Sequence, residues 1–424
     1  MITQRDLAAR LARRALGGWS LVERVQDTAI ADERRGLERR DHRTRLALLV
    51  HEDVPRGRGS ARLDLDSLDG SADDLIDQAS ALALATVGPA WLSAPPAAPA
   101  RVSVVDDALV TAELDAAARG LLTRLRRPAG VTVTARAEIL RETITVLASS
   151  GFHASWPATT LRADAVVASG APSLAISREA RRAADLDLDA TLAAAAADVR
   201  QLAAAGPPAP GPCALWLGPE AVLHGNDHGV WAIFAHQADS AVERQGLTRY
   251  RWRSEIIPGA AQLAEPLSIT SNGALDFATR SAPVTDDAIA IRRFPILQRG
   301  LAVGLGLSAR EAGLRGTDPN GGVRNLVVAP GTWSAAPSPT SRTIELRRLH
   351  ALSIDLYTGE ATLDIALGLE HRPDRPEPTP FTGGTVRLDL VAALARARRS
   401  SQLLRRGAYH GPASLLIDDA ELMT

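Results

Sequence analysis

Seven residues at the middle of the chain, Gly206-Pro-Pro-Ala-Pro-Gly-Pro212, hold four prolines and two glycines. Proline lacks the backbone N–H that a helix interior or a central strand needs. Regular structure is therefore expected to stop there. The chain divides into residues 1–205 and 213–424, joined by a linker at 206–212. A length of 424 residues accommodates such a division.

The two parts carry different patterns. In the first, residues 1–18 have a helical period ended by Gly17-Gly18. Alternating apolar and polar positions from Ala29 to Asp66 predict a β-meander, with a turn at Pro-Arg-Gly-Arg-Gly. A helix is expected from Ser71 to Thr86, where SADD supplies the start signal. The segment PAWLSAPPAAPA reads as a polyproline connector. Further helices are expected over Asp106–Arg126 and Leu188–Ala205, and strands over Val131–Ala137, Thr143–Ala148 and Leu161–Ala168.

The second part holds short apolar runs separated by turn residues, including LSIT, AIAIRRFPIL, LAVGLGL and NLVVAPG. These predict a mainly β region with arginine on one face of its sheets, closed by a helix over Val391–Arg399 and a strand at SLLIDDAEL. The fold class is α+β: a mixed α/β N-terminal domain followed by a β-rich C-terminal domain.

The stretch with the most chemistry is Ala214–Ser254. A strand-like run, Ala214–Leu217, meets a turn at Gly218-Pro219. His224-Gly-Asn-Asp-His228 follows, and then a helical pattern from Val230 to about Arg244. Two histidines four apart can bind one metal ion from one helix face. Gly225, Asn226, Asp227 and Gly229 are poor helix formers, so a loop is favoured over a metal site. Asn226 or Asp227 is a candidate cap for the Val230 helix. His236 falls on an amphipathic packing pattern with Trp231 and Phe234.

Other candidates are weaker. Gly304-Leu-Gly306 lacks the third glycine of a dinucleotide fingerprint. No P-loop and no G-x-S-x-G nucleophile elbow occurs. Asp286-Asp287 reads as a surface turn, and Asn320-Gly321-Gly322 as another. The single cysteine, Cys213, excludes a disulfide framework and a multi-cysteine zinc knuckle, and reads as a buried thiol. A net charge of −1 favours neither nucleic acid nor an anionic membrane surface. There is no lysine, so every strong cation is an arginine. Runs such as Arg34-Arg35, Arg39-Arg40 and Arg405-Arg406 read as solvated faces. Without a secretory pattern or a membrane-length apolar run, the expected compartment is the cytoplasm.

The order of motifs resembles the TldD/TldE (PmbA) family, described as gyrase modulators and as peptidases. SADDLIDQASALALAT is similar to the family's N-terminal helix, and HASWPATTLRADAVVAS to a hairpin after Ser150-Gly151. YRWRSEI, LSITSNGALDFATRSAPVTDDAIAIRRFPILQRGLAVGLGLSAREAG, RNLVVAPGT, IDLYTGEATLDIALGLE and GPASLLIDDAELM resemble its C-terminal segments, in order. The resemblance spans almost the whole chain.

It implies a TldD/PmbA-type fold and a choice between two kinds of subunit. The TldD kind carries zinc on H-E-x-x-x-H with a later cysteine. The TldE kind lacks the site and pairs with a TldD partner. Here His224 falls at the first zinc histidine, but residue 225 is Gly where the general base should be. His228 is one residue early, and no cysteine follows Cys213.

The resemblance therefore implies a chain without catalytic residues, cofactor or metal of its own. Zinc is expected in a TldD-like partner of a heterodimer acting on small or unfolded peptides. Asn325 matches a family asparagine and is expected to hold backbone beside a peptide cleft. One alternative is an active metallopeptidase using His224, His228 and a third ligand such as His410 or an aspartate. The other is a non-proteolytic homodimeric scaffold.

Overall fold

The computed structural model describes the chain except residues 1–2, 36, 66–70, 94, 96–97, 226 and 339. In the first part, α1 (Gln4–Leu11) precedes three strands, β1 (Gly18–Asp32), β2 (Leu37–Val54) and β3 (Gly57–Leu65). Then come α2 (Ala72–Ala85), α3 (Asp107–Val110), α4 (Leu114–Thr123), β4 (Thr132–Ala148), β5 (His153–Ala168), β6 (Ser173–Ala180) and α5 (Leu188–Ala203). The six strands form one antiparallel sheet in the order β3-β2-β1-β4-β5-β6. Its alternation is plain in β6, where Ile176, Arg178 and Ala180 point inward between exposed neighbours. Helices cover its inner face through buried Ile76, Ala79, Leu114, Ala118, Leu192 and Val199.

The second part opens with β7 (Gly211–Leu217), α6 (Pro219–Val222), α7 (Ala232–Gln237) and α8 (Ser240–Arg244). β8 (Ile269–Asn272), β9 (Arg293–Gln298), β10 (Leu301–Ala302), α9 (Ala309–Arg315) and β11 (Leu326–Val328) follow. Then come β12 (Thr343–Ile354), β13 (Glu360–His371), β14 (Thr379–Phe381), β15 (Thr385–Asp389) and α10 (Leu390–Arg396). β16 (Arg398–Arg399), β17 (Leu403–Arg406), β18 (Tyr409–Pro412) and β19 (Leu415–Met423) end the chain.

One sheet runs β10-β9-β8-β11-β18-β17. The other runs β12-β7-β19-β15-β13-β14, and β12 also pairs with β13, so five of its strands close into a ring. Closure removes free sheet edges. The core, with Leu215, Trp231, Phe234, Ile296, Leu363 and Tyr409, lies within and between these sheets. The fold is α+β.

Several elements differ from the sequence pattern. The helix expected over Asp106–Arg126 is two helices. Arg141 Nη1 on β4 takes the carbonyls of Leu109 at 3.3 Å and Val110 at 2.7 Å, which ends the first one. The helix from Val230 to Arg244 breaks at Asp239, whose carboxylate caps Ala241 and Val242 at 2.8 and 3.3 Å. The strands Val131–Ala137 and Thr143–Ala148 are one strand, β4. The first helix stops at Leu11, after which Arg13 and Arg14 have no apolar face to bury. Gly211 and Pro212, placed in the linker, already belong to β7, with Pro212 opposite Glu421. No helix among the described residues is long and apolar enough to cross a membrane.

Candidate functional site

The strand β7 and the one-turn α6 deliver the chain to His224 at the start of a tight turn. Gly225 has φ +83° and Gly229 φ +54°. Both lie in the left-handed region that only glycine enters without strain. A Cβ on Gly229 would sit 1.8 Å from the Val222 carbonyl oxygen, so the turn folds directly back on α6. His224 and His228 are therefore not on a common helix face.

The two imidazoles sit in different surroundings. His228 is 4% exposed, and its Nε2–H donates to the Arg324 carbonyl at 2.9 Å. Burial pushes its pKa down to about 4, with Arg280 acting in the same direction. His224 is half-buried; burial also lowers its pKa, against the field of Glu220. Asp227 Oδ2 accepts from Arg280 Nε at 3.0 Å, so it does not cap the following turn. Asn226, the other candidate cap, lies outside the described residues.

These residues do not fit a zinc site. Position 225 has no side chain, and the described backbone from His224 to His228 is not helical, so no helix face presents both imidazoles to one ion. Among the described residues no three His, Cys, Asp or Glu side chains gather as a metal-binding group. His410 lies on β18 opposite Arg405, and Cys213 is buried on β7 opposite Ala420. Burial pushes the Cys213 thiol pKa up, which opposes nucleophilic use.

His224 faces a cluster of charges that the sequence does not announce. Glu220, at the start of α6, meets Arg178 at 2.6 Å, Arg348 at 3.1 Å and Arg406 at 2.9 Å. These arginines stand on β6, β12 and β17, one from each of the three sheets. They hold the Glu220 carboxyl down to about 2 against the opposing effect of its burial. Arg405-Arg406, read as a solvated run, thus contributes an inward cation.

A cavity of about 440 Å³ opens where the first sheet meets the loops around residues 279–289. Asn325 lies behind it, fully buried. Its amide donates to the Asn272 carbonyl at 2.7 Å and to Ser281 Oγ at 2.8 Å, and accepts from the Arg280 N–H at 3.1 Å. Arg280 and Ser281 line the cavity, so Asn325 holds the cavity wall without reaching the cavity itself. Asn325→Ala is expected to cost about 2–3 kcal/mol through buried groups left unpaired, read as a shift of the denaturation midpoint.

Asp286 is part of this wall, with ion pairs to Arg24 at 2.9 Å and Arg62 at 2.8 Å. Gly304 and Gly306 face the backbone of Pro295 and Val323, which is strand packing and not a phosphate loop. Asn320 braces its turn by accepting from the N–H groups of Leu307 at 2.8 Å and Gly322 at 3.1 Å. His236 is half-buried on α7.

The architecture places the chain among two-part α+β proteins that set an antiparallel sheet against a β-rich half. That fold is the TldD/TldE type. A DNA gyrase modulator from Bacteroides thetaiotaomicron, so described provisionally, has a TM-score of 0.78 at 14% identity over 100% of both chains. TldE from Thermococcus kodakarensis has 0.75 at 13% identity, again over 100% of both chains. A second such modulator, from Thermotoga maritima, has 0.74 at 14% identity over 99% of this chain and 100% of that one. No protein-family model matches the sequence, and no curated protein matches it.

Proposed function

We propose that the chain is a TldE-like member of the TldD/TldE (PmbA) family: a non-catalytic subunit that pairs with a TldD-like zinc peptidase. The observation that carries this reading is the His224–His228 turn. It has the family's place in the chain but a left-handed glycine where the base would stand, and no helix to carry its two histidines on one face. A general base must reach the metal-bound water, and glycine has nothing to reach with.

In this reading the partner supplies zinc, its ligands and the base. This chain supplies assembly surface and part of the wall around a peptide. Exposed Leu247 and Trp252, at 50% and 67%, lie on the segment after α8 and support a partner-facing role for the β-rich half. The complex would cleave small or unfolded peptides in the cytoplasm, including the precursor of a modified peptide product.

Zinc measured on the chain purified alone, without chelator, is expected near zero per chain. Co-expression with a TldD-like protein from the same genome is expected to give a heterodimer with about one zinc, held by the partner. About one zinc bound by this chain alone, and lost in the His224→Ala, His228→Ala double variant, would overturn the reading in favour of an atypical metallopeptidase.

A further inference from the structure

The cavity in front of Asn325 combines an apolar wall with two arginines that make no direct ion pair among the described residues. Val104, Ile144, Trp156 and Ala158 supply the wall. Five arginines and three acids line the same space. Arg24 and Arg62 share Asp286. Arg280 is paired with Asp227 behind the wall. Of the remaining acids, Glu142 pairs with Arg24 at 3.7 Å and accepts from Gln26 at 3.2 Å, and Asp287 accepts from Thr285 Oγ1.

Two guanidinium groups remain. Arg181 donates to the carbonyls of Thr159 at 3.1 Å and Thr279 at 2.8 Å, and its buried Nε has no partner. Arg324 is anchored by Nε to the Gly321 carbonyl at 2.9 Å. Its two terminal nitrogens make no hydrogen bond among the described residues. Neither Arg181 nor Arg324 has a carboxylate within 4.0 Å among those residues. An arginine held by Nε presents its outer edge as a two-donor fork, and that fork matches a carboxylate.

We propose that this cavity binds the carboxyl terminus of a peptide whose last residue is apolar. Arg324 takes the terminal carboxylate, Arg181 adds field from below, and the last side chain lies against Trp156 and Ile144. A volume of about 440 Å³ falls within the range of small-ligand sites. Asp286, Asp287 and Glu142 in the same wall disfavour a doubly charged phosphate more than a single carboxylate. That the carboxylate belongs to a peptide rests on the function proposed above. That the cavity takes an apolar carboxylate rests on its own geometry.

The test uses the full chain alone, which keeps it separate from the question of pairing. Ac-AAAAF with a free carboxylate, its C-terminal amide, and N-acetylphenylalanine are titrated by calorimetry and by Trp fluorescence. The free-acid peptide is expected to bind, with the amide at least about tenfold weaker. Arg324→Gln is expected to weaken the acid by about tenfold or more, the size of one lost charged hydrogen bond. Arg324→Lys keeps the charge without the fork and is expected to fall between; it also serves if the Gln variant does not fold. Arg292→Gln, on an exposed pair with Asp318 outside the cavity, is expected to change nothing. Equal binding of acid and amide, no binding of the acid, or full binding by both Arg324 variants overturns the proposal. N-acetylphenylalanine binding as tightly as the peptide overturns the assignment to a peptide end. Failure to find a TldD-like partner leaves these titrations unaffected.

Discussion

Replacing Glu220 by alanine is expected to lower the unfolding free energy by about 3–5 kcal/mol, the usual result of removing one partner from a buried ion pair. Glu220 is the shared counter-ion of Arg178, Arg348 and Arg406. Arg178 and Arg348 are 7% and 8% exposed, so their charges are not rescued by bulk water. The network continues through Arg348 Nε to Asp198 at 2.8 Å, and Asp198 also accepts from Arg347 Nη2 at 2.9 Å. Asp198 lies on α5, so removing Glu220 loosens that helix as well as three strands from three sheets.

Urea unfolding at pH 7 measures the effect. Glu220→Gln keeps the shape but not the charge and is expected to lose about half as much, because its carbonyl still accepts one hydrogen bond. A loss below about 1 kcal/mol in the alanine variant would show that the arginines relax into solvent, as exposed pairs do. The sign with pH follows from the depressed pKa. The contribution is fully present above about 4.5 and is lost as pH falls toward about 2.

Acid is expected to destabilise the protein earlier than that, through two histidines. Burial lowers His228 and His51 from 6.5 to about 4. Both are kept neutral in the fold and take up a proton once unfolded. The unfolded chain therefore binds more protons between pH 6.5 and 4, and stability rises with pH across that window. A tenfold loss of proton affinity on folding corresponds to about 1.4 kcal/mol, so His228 alone is expected to remove about 3 kcal/mol between pH 7 and 4.

His51 adds to the slope. It packs edge-on to Trp91 at 5.0 Å with Arg58 nearby, and its Nδ1 is 2.8 Å from Ser60 Oγ. The measurement is the unfolding free energy at pH 7, 5.5 and 4.5. A variant combining His51→Gln with His228→Asn, whose amide can still donate to the Arg324 carbonyl, is expected to lose most of this slope and keep the smaller part that the partly buried His224 and His410 supply. An unchanged slope in that variant would overturn the assignment to His51 and His228 and move the acid sensitivity to His224 and His410.

The sequence by itself determined the elements with strong local signals. The end of α5 before the proline-rich stretch, the α2 and α5 patterns and the short apolar runs of the second half all follow from proline chemistry and hydrophobic period, although regular structure resumes at Gly211, inside that stretch. The glycines around His224 and His228 marked a turn where a metal helix would need helix formers, and the structure bends there. Asp239 also carried a local cap signal that the longer helical period from Val230 obscured.

What the tertiary structure decided is which distant charges meet. Arg24 and Asp286 stand 262 positions apart, and Arg348 and Asp198 stand 150 apart. Nothing local distinguishes these arginines from those on solvated faces, because a guanidinium acquires its role from the carboxylate, carbonyl or empty space brought against it. For the same reason Asp286 read as a surface turn and Arg406 as a solvated run. Helix-ending contacts such as Arg141 on the carbonyls of Leu109 and Val110 belong to this class too. Periodicity records which face a residue turns inward; only folding of the two halves against each other fixes what that face will touch.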